Sequence, residues 1–242
     1  MSEDTCGDTF VKPDVETQDD TKAGNYFISN YPPFSFWNEE DVPCVESLLN
    51  SPEPGDAPLG LYYHVPFCRK RCHFCYFRVY TDKNSSDIRR YLAATMNELR
   101  QYADKPYIAG RKPKYVYFGG GTPSYLSAQQ LTELTDEMKA ILTWDEAEEV
   151  TFECEPGTLS EKKLEVIKDF GVTRLSLGIE NFDDHILDIN GRAHRSGEVF
   201  RAYEYARGLG FDNINVDLIA GMLEETEENW VDCVRRVIDL SP

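Results

Sequence analysis

The chain has 242 residues, of which 41% are hydrophobic, enough for one barrel or one large α/β domain. Its formal charge of −18 argues against nucleic acid as a partner, because phosphates would be repelled. No stretch is apolar for long enough to span a bilayer, and Met1-Ser-Glu-Asp-Thr-Cys6 lacks the basic start and apolar core of a signal peptide, so a cytoplasmic protein is expected.

Residues 1–24 are acidic and polar, too poor in apolar groups to offset the entropy of ordering, and read as a disordered tail. Residues 25–58 mix aromatics with turn formers, as in Tyr31-Pro-Pro-Phe34, and read as an irregular arm. From residue 59 to 242, strand and helix signals alternate. Strands are expected over Leu61–Val65, Lys114–Phe118, Glu149–Cys154, Arg174–Ile179 and Asn213–Ile219. Helices are expected over Ser86–Asp104, Ser127–Thr143, Ser160–Phe170, Gly197–Gly208 and Thr226–Leu240. Ile88, Tyr91, Leu92, Met96 and Leu99 share one face of the first helix, Ser127 suits an N-cap, and Gly171 stands just past a helix end. Alternating βα units imply α/β architecture with a parallel sheet, open or closed into a barrel. Five units are visible, and the chain stops at Ser241-Pro242, where a sixth strand would be due; a longer protein is therefore expected.

The first strand runs into Cys68-Arg-Lys-Arg-Cys72-His-Phe-Cys75, which sets three thiolates in one loop. A 4Fe–4S cluster takes one ligand per iron, so three cysteines leave one iron open to chelation by a substrate or cofactor. Structural zinc is the alternative, with His64 or His73 completing a Cys3His set, although no second ligand pair is visible. Cys6, Cys44, Cys154 and Cys233 are scattered and read as ordinary thiols. The second strand ends in Gly119-Gly-Gly-Thr-Pro-Ser124, where missing side chains allow close approach of a ligand; P-loop and Rossmann patterns do not fit. In parallel α/β folds, sites form at the C-terminal strand ends. There Thr151, Glu153 and Glu155 share one face, as do Ser176, Gly178 and Glu180, and Asn215 with Asp217. Three strands aiming carboxylates one way point to a ligand-binding mouth, set against the plainer reading of a salt-bridge network or solvated strand ends.

These residues resemble the radical S-adenosylmethionine (SAM) enzymes, and more narrowly the oxygen-independent coproporphyrinogen III dehydrogenase (oxidase)-like family, which includes haem chaperones and class C methyltransferases. The motifs are Tyr62-Tyr-His-Val-Pro-Phe-Cys68, Cys72-His-Phe-Cys75, Gly119-Gly-Gly-Thr-Pro123, Phe152-Glu-Cys-Glu-Pro156, Arg174-Leu-Ser-Leu-Gly-Ile-Glu-Asn-Phe182 and Asn215-Val-Asp-Leu-Ile219. The resemblance implies a partial (β/α)6 TIM-like barrel with parallel strands. It implies that Cys68, Cys72 and Cys75 ligate three irons and that the fourth chelates SAM. Gly119, Gly120, Gly121 and Thr122 would meet the methionine part, Glu153, Glu180 and Asp217 would surround methionine and ribose, and Arg192 would pair with the carboxylate. Phe74 belongs with the cofactor contacts, and Tyr62 would lie against the cofactor as a catalytic residue. An external electron donor of flavodoxin or ferredoxin type would reduce the cluster, the sulfonium would be cleaved, and a 5′-deoxyadenosyl radical would take hydrogen from a small, porphyrin-like substrate.

Departures from that pattern bear on the substrate. Porphyrinogen dehydrogenases carry another cysteine where this chain has Phe77, the usual Gln at the ribose position is Glu180, and the loop after the fifth strand reads Gly221-Met-Leu-Glu-Glu-Thr226. Arg69, Lys70, Arg71 and Arg78 are candidates for holding substrate carboxylates, set against a solvated basic loop. Three functions stay open: a radical enzyme, a haem chaperone of the same family, and a zinc-stabilised α/β binding domain. The sequence carries no signal for an oligomeric state.

Overall fold

A computed structural model of the chain describes residues 38–52 and 55–242. The tail over residues 1–24 and the Tyr31-Pro-Pro-Phe34 part of the arm lie outside the described residues. The chain divides into two units, one of residues up to Pro54 with Lys105–Ile108, the other of Gly55–Asp104 with Ala109–Pro242. In the first, helix α1 (Val42–Leu49) opens with Pro43, whose missing N–H is harmless in a first turn. That helix falls in the stretch read as irregular, and its Val42, Val45 and Leu48 stay half exposed. Cys44 is disulfide-bonded, not the ordinary thiol expected.

The second unit is built from β1 (Leu59–Val65), α2 (Ser85–Ala103), β2 (Pro113–Gly120), α3 (Ala128–Ile141), β3 (Glu149–Cys154), α4 (Glu161–Asp169), β4 (Arg174–Glu180), α5 (Asp184–Ile189), α6 (Ser196–Gly208), β5 (Asn213–Leu218) and α7 (Glu227–Leu240). The five strands are parallel and pair in chain order, which is the α/β architecture that the alternating pattern implies and the partial TIM-like barrel that the resemblance implies. The helix starts follow local chemistry. Asn84 and Ser127 each close a capping box, and Ser160 and Thr226 accept from the third backbone N–H of their helices.

Period-2 alternation decides which strand face meets the helices. Val116, Phe118, Val150, Phe152, Leu175, Leu177 and Ile214 point one way and are buried with Met96, Leu99, Leu131, Met138, Leu164, Ile167 and Val199. Phe118, Phe152 and Phe170 pack in tilted and edge-on pairs with centroids 5.4–5.8 Å apart, and fully burying each such ring is worth about 2–3 kcal/mol. The opposite face is polar: Tyr117 lies across from Thr151, Glu153 from Ser176, and Gly178 from Asp217. This register carries the three carboxylates to the C-terminal ends of neighbouring strands.

Candidate cofactor site

A cavity of about 230 Å³ opens at those strand ends. Cys68, Cys72 and Cys75 line one side; Gly120, Gly121 and Thr122, then Glu153, Ser176, Gly178, Glu180, Asp217 and Arg192, line the rest. The thiol loop is tied down by backbone bonds. Cys68 N–H donates to Tyr80 O at 3.1 Å, His73 N–H to Asn190 O at 3.0 Å, and Gly121 N–H to Val65 O at 2.8 Å. The glycine turn is required by space. A Cβ on Gly121 would stand 3.0 Å from Cys68 Sγ, and one on Gly120, at φ +116°, would stand 2.8 Å from the His64 ring.

Two thiols carry protein donors. Thr122 Oγ1–H donates to Cys68 Sγ at 3.3 Å, and Arg192 Nη1–H to Cys72 Sγ at 3.4 Å. Burial pushes the Cys68 thiol up, and the Thr122 bond pulls it back. Among the described residues, no three His, Cys, Asp or Glu side chains converge as a ready single-ion site. The thiols instead ring a cavity, which suits a group that takes one thiolate at each of several irons better than one zinc ion drawing all its ligands to a point. The zinc candidates fit less well, because His73 Nδ1 lies 2.9 Å from Ile189 O, His64 Nδ1 lies 2.9 Å from Tyr62 Oη, and neither ring lines the cavity.

Charge at the cavity is concentrated and incompletely satisfied. Burial pushes the Glu180 carboxyl up to about 7, partly opposed by Arg192 at 3.7 Å and reinforced by Asp217 and Glu153. Glu180 also sits at φ +68°, a left-handed conformation uncommon for a side-chain-bearing residue. Burial likewise raises Glu153, although Tyr117 Oη–H donates to it at 2.6 Å and Gly120 N–H at 3.2 Å. Ser176 Oγ–H donates to Asp217 at 3.0 Å. Arg192 gives Nη2–H to Gly178 O at 2.5 Å, but its buried Nε has no partner. A buried donor without an acceptor is costly, and here it belongs to a guanidinium facing a cavity.

A fourth carboxylate, Glu155, also lines the cavity but is more fully partnered. Glu155 meets Arg69 Nη2 at 3.4 Å and the fully buried His194 Nδ1 at 3.3 Å; the His194 contact has ion-pair distance but lacks hydrogen-bond alignment. Arg69 further donates to Ala193 O and, at 3.3 Å, to Gly157 O. Burial alone would raise Glu155, but His194 and Arg69 more than reverse this and hold it below its ordinary range.

Cys68, Cys72, Cys75, Phe74, Gly120, Gly121, Thr122, Glu153, Glu180, Arg192 and Asp217 are thus brought to one cavity. Tyr62 and Gly119 stand outside its lining: Tyr62 is largely exposed, stacked on Tyr117 at 6.0 Å, and a Cβ on Gly119 would strike Tyr117. Of the basic candidates, Arg69 is committed to Glu155, Arg71 donates to Cys75 O at 3.1 Å, and Arg78 lies over Tyr80 away from the cavity; Lys70 and Arg71 remain on the rim. Sequence reasoning missed His194 altogether, since its partner lies 39 positions back with no periodic signal.

The sequence profile of the Radical SAM superfamily matches residues 62–237. The heme chaperone HemW of Escherichia coli (strain K12) is 34% identical over 185 residues, 76% of this chain and 48% of that protein. The oxygen-independent coproporphyrinogen III oxidase of Salmonella typhimurium is 30% identical over 203 residues, 84% of this chain and 43% of that protein. Among solved structures, coproporphyrinogen III oxidase (HemN) from Escherichia coli superposes with a TM-score of 0.77 at 28% identity, over 89% of this chain and 49% of that one. The methyltransferase TsrM from Kitasatospora setae, at 16% identity and a TM-score of 0.52 over 76% of this chain and 33% of that one, shares the fold alone. The chain spans about half the length of the curated relatives it matches. No helix among the described residues is long and apolar enough to cross a membrane.

Proposed function

The chain belongs to the radical SAM superfamily, whose members bind a 4Fe–4S cluster and S-adenosylmethionine, and from that premise we propose an enzyme of the coproporphyrinogen III oxidase-like branch acting on a small, porphyrin-like molecule. The observation that carries the reading is the meeting, round one cavity, of three thiols, a side-chain-free turn, and three strand-end carboxylates with Arg192 among them. Cys68, Cys72 and Cys75 hold the cluster, one thiolate to an iron. Bound together, cluster and SAM supply reductive cleavage of a sulfonium and hydrogen abstraction from a substrate.

The chain's own residues bind, orient and shield. Arg192, with its free Nε, suits the SAM carboxylate; Glu153, Glu180 and Asp217 suit amino and hydroxyl donors. Gly120 and Gly121 keep the turn open for close approach, and Phe74 contributes apolar cover at the mouth. Tyr62, lying outside the cavity, is assigned no contact with the reacting atoms.

A haem chaperone is the second reading, supported by relatives of that name and by Phe77, an apolar lining residue where porphyrinogen dehydrogenases carry a further cysteine. Anaerobic reconstitution with iron and sulfide, then incubation with SAM and dithionite, tests both. Formation of 5′-deoxyadenosine supports the enzyme. A full cluster with haem binding and no 5′-deoxyadenosine supports the chaperone. One bound zinc and no iron overturns both.

A further inference from the structure

The loop after β5, Gly221-Met-Leu-Glu-Glu-Thr226, looks acidic in the sequence, but the structure engages both of its carboxylates. Glu225 Oε2 accepts from Gly221 N–H at 2.5 Å and its Oε1 from Asn181 Nδ2–H at 3.2 Å, and Glu224 Oε2 lies 2.9 Å from His185 Nε2. Met222 is buried, and Thr226 caps α7. What the loop offers outward is Leu223, 62% exposed. Its backbone is held by the buried Asn190. Leu223 N–H donates to Asn190 Oδ1 at 3.0 Å, and Leu223 O accepts from Asn190 Nδ2–H at 3.1 Å, so one amide side chain closes two bonds on one residue. Asn190 O in turn accepts the His73 N–H at 3.0 Å, between Cys72 and Cys75, and Arg192, two residues on, lines the cavity. Glu224, next to Leu223, keeps φ +61°, which a side-chain-bearing residue does only where its surroundings fix it. Leu223 is thus pinned where the thiol loop, the Arg192 segment and the end of β5 come together.

We propose that Leu223 is this loop's contact with the substrate, taking an apolar edge such as an alkyl substituent or the hydrocarbon face of a ring, and that Asn190 is the positioning residue that holds it there. The proposal rests on the cavity reading above and names the part of the substrate that the loop meets. Charge decides against the substrate's carboxylates at this point, because a carboxylate brought to the loop meets Glu224 and Glu225, which oppose it. An apolar group instead covers Leu223 and gains from the surface that both remove from water. Phe74 and Phe77, exposed on the thiol loop and lining the cavity, offer apolar surface at the same mouth. A clamped backbone adds to affinity, since the loop does not have to be ordered when the substrate arrives.

The test titrates two probes, protoporphyrin IX and the dye 1-anilinonaphthalene-8-sulfonate, by fluorescence into the full chain after cluster reconstitution, and reads hydrogen exchange at the Leu223 amide alongside. Leu223→Ala is expected to weaken probe binding about tenfold, and Leu223→Met by less than about twofold. Asn190→Ala is expected to weaken it as much as Leu223→Ala does, and the double variant loses no more than either, because the two residues act as one unit. Asn190→Ala also speeds exchange of the Leu223 amide by at least about tenfold while the core amide of Leu177 exchanges as before; a merely structural role would move both. Ile238→Ala, an exposed apolar residue near the end of α7, serves as control and leaves binding unchanged. Binding of both probes by Leu223→Ala as tightly as by the unaltered chain overturns the proposal, as does an equal loss in Ile238→Ala or a Leu223 amide that Asn190→Ala leaves unmoved. Dye binding that depends on Leu223, with no binding of protoporphyrin IX, upholds the contact and counts against the porphyrin-like reading alone. No binding of either probe by the unaltered chain overturns both.

Discussion

Glu155 and Glu153 leave the end of β3 two residues apart and, although both line the cavity, meet different partners on its two sides. Glu155 enters a brace, where Arg69 and His194 meet it and its pKa falls. Glu153 faces the cavity, where it joins Glu180 and Asp217 with one guanidinium among them, and its pKa rises. The brace ties the thiol loop, through Arg69, to the β3 end and to Ala193, next to Arg192. In the cavity, carboxylates are crowded and a buried guanidinium N–H lacks an acceptor. The brace has an ion-pair contact for its one unbonded atom, His194 Nδ1, at 3.3 Å from Glu155, whereas Arg192 Nε has none. The less fully paired side is where a ligand carrying its own amino, carboxylate and hydroxyl groups can complete the set.

Breaking the cavity side should have the largest effect. Replacing Cys68, Cys72 or Cys75 by Ala is expected to drop bound iron after reconstitution to background and to abolish SAM cleavage, while the melting curve of the metal-free chain changes little. Iron analysis and chromatography check this. Retention of a full cluster by any of the three would remove that cysteine from the ligand set. Breaking the brace should act through folding. Glu155→Ala leaves the buried His194 without its carboxylate, while Arg69, 40% exposed, keeps Gly157 O and Ala193 O; the expected cost is about 1–3 kcal/mol in denaturant unfolding. An unchanged unfolding midpoint with weakened SAM binding would show that the brace belongs to the site after all.

Much of the fold and of the cavity side was legible in the sequence because it depends on local spacing. The five strands, the cap at Ser127, and the strand-end carboxylates Glu153, Glu180 and Asp217 all follow from periods of 2 and 3.6 and from capping chemistry. Helix α5 was not read, because six residues are too few to display a period. The brace was invisible for a different reason. Arg69, Glu155 and His194 are separated by 86 and 39 positions and meet only once the sheet has formed. Arg69 consequently looked like a free cation, although it is committed to the protein. Tyr62, placed against the cofactor by its motif, stacks on Tyr117 outside the cavity lining.

The glycine turn sharpens the comparison at smaller magnitude. Gly120→Ala must hold φ near +116° and push the His64 ring away from a Cβ at 2.8 Å, at an expected cost of about 2–3 kcal/mol. Adding His64→Ala relieves the contact but not the dihedral, so only part of the stability should return. Gly121→Ala instead crowds Cys68 Sγ at 3.0 Å, and is expected to lower iron loading more than it lowers stability.

The pH dependence of folding separates the two regions through opposite signs. Glu180 has a folded pKa of about 7 against an ordinary 4.5, so between those values the folded chain holds more protons than the unfolded one. Its contribution is therefore full below pH 4.5 and is lost as pH rises through 7. Glu155 is depressed, so its contribution is present above 4.5 and is lost as pH falls through its folded pKa. In the metal-free chain, Glu180→Gln should flatten the decline in stability between pH 5 and 7, by on the order of 2 kcal/mol, and leave the acid limb alone. Glu155→Gln should do the reverse, flattening the acid limb only. Melting temperatures measured across pH for both variants check this. Because Glu153 is raised as well, part of the decline remains; a decline toward neutral pH left unchanged by Glu180→Gln would mean that Glu180 is already satisfied by the protein, and with it would go the physical distinction between a well-paired brace and a cavity side that waits for a ligand.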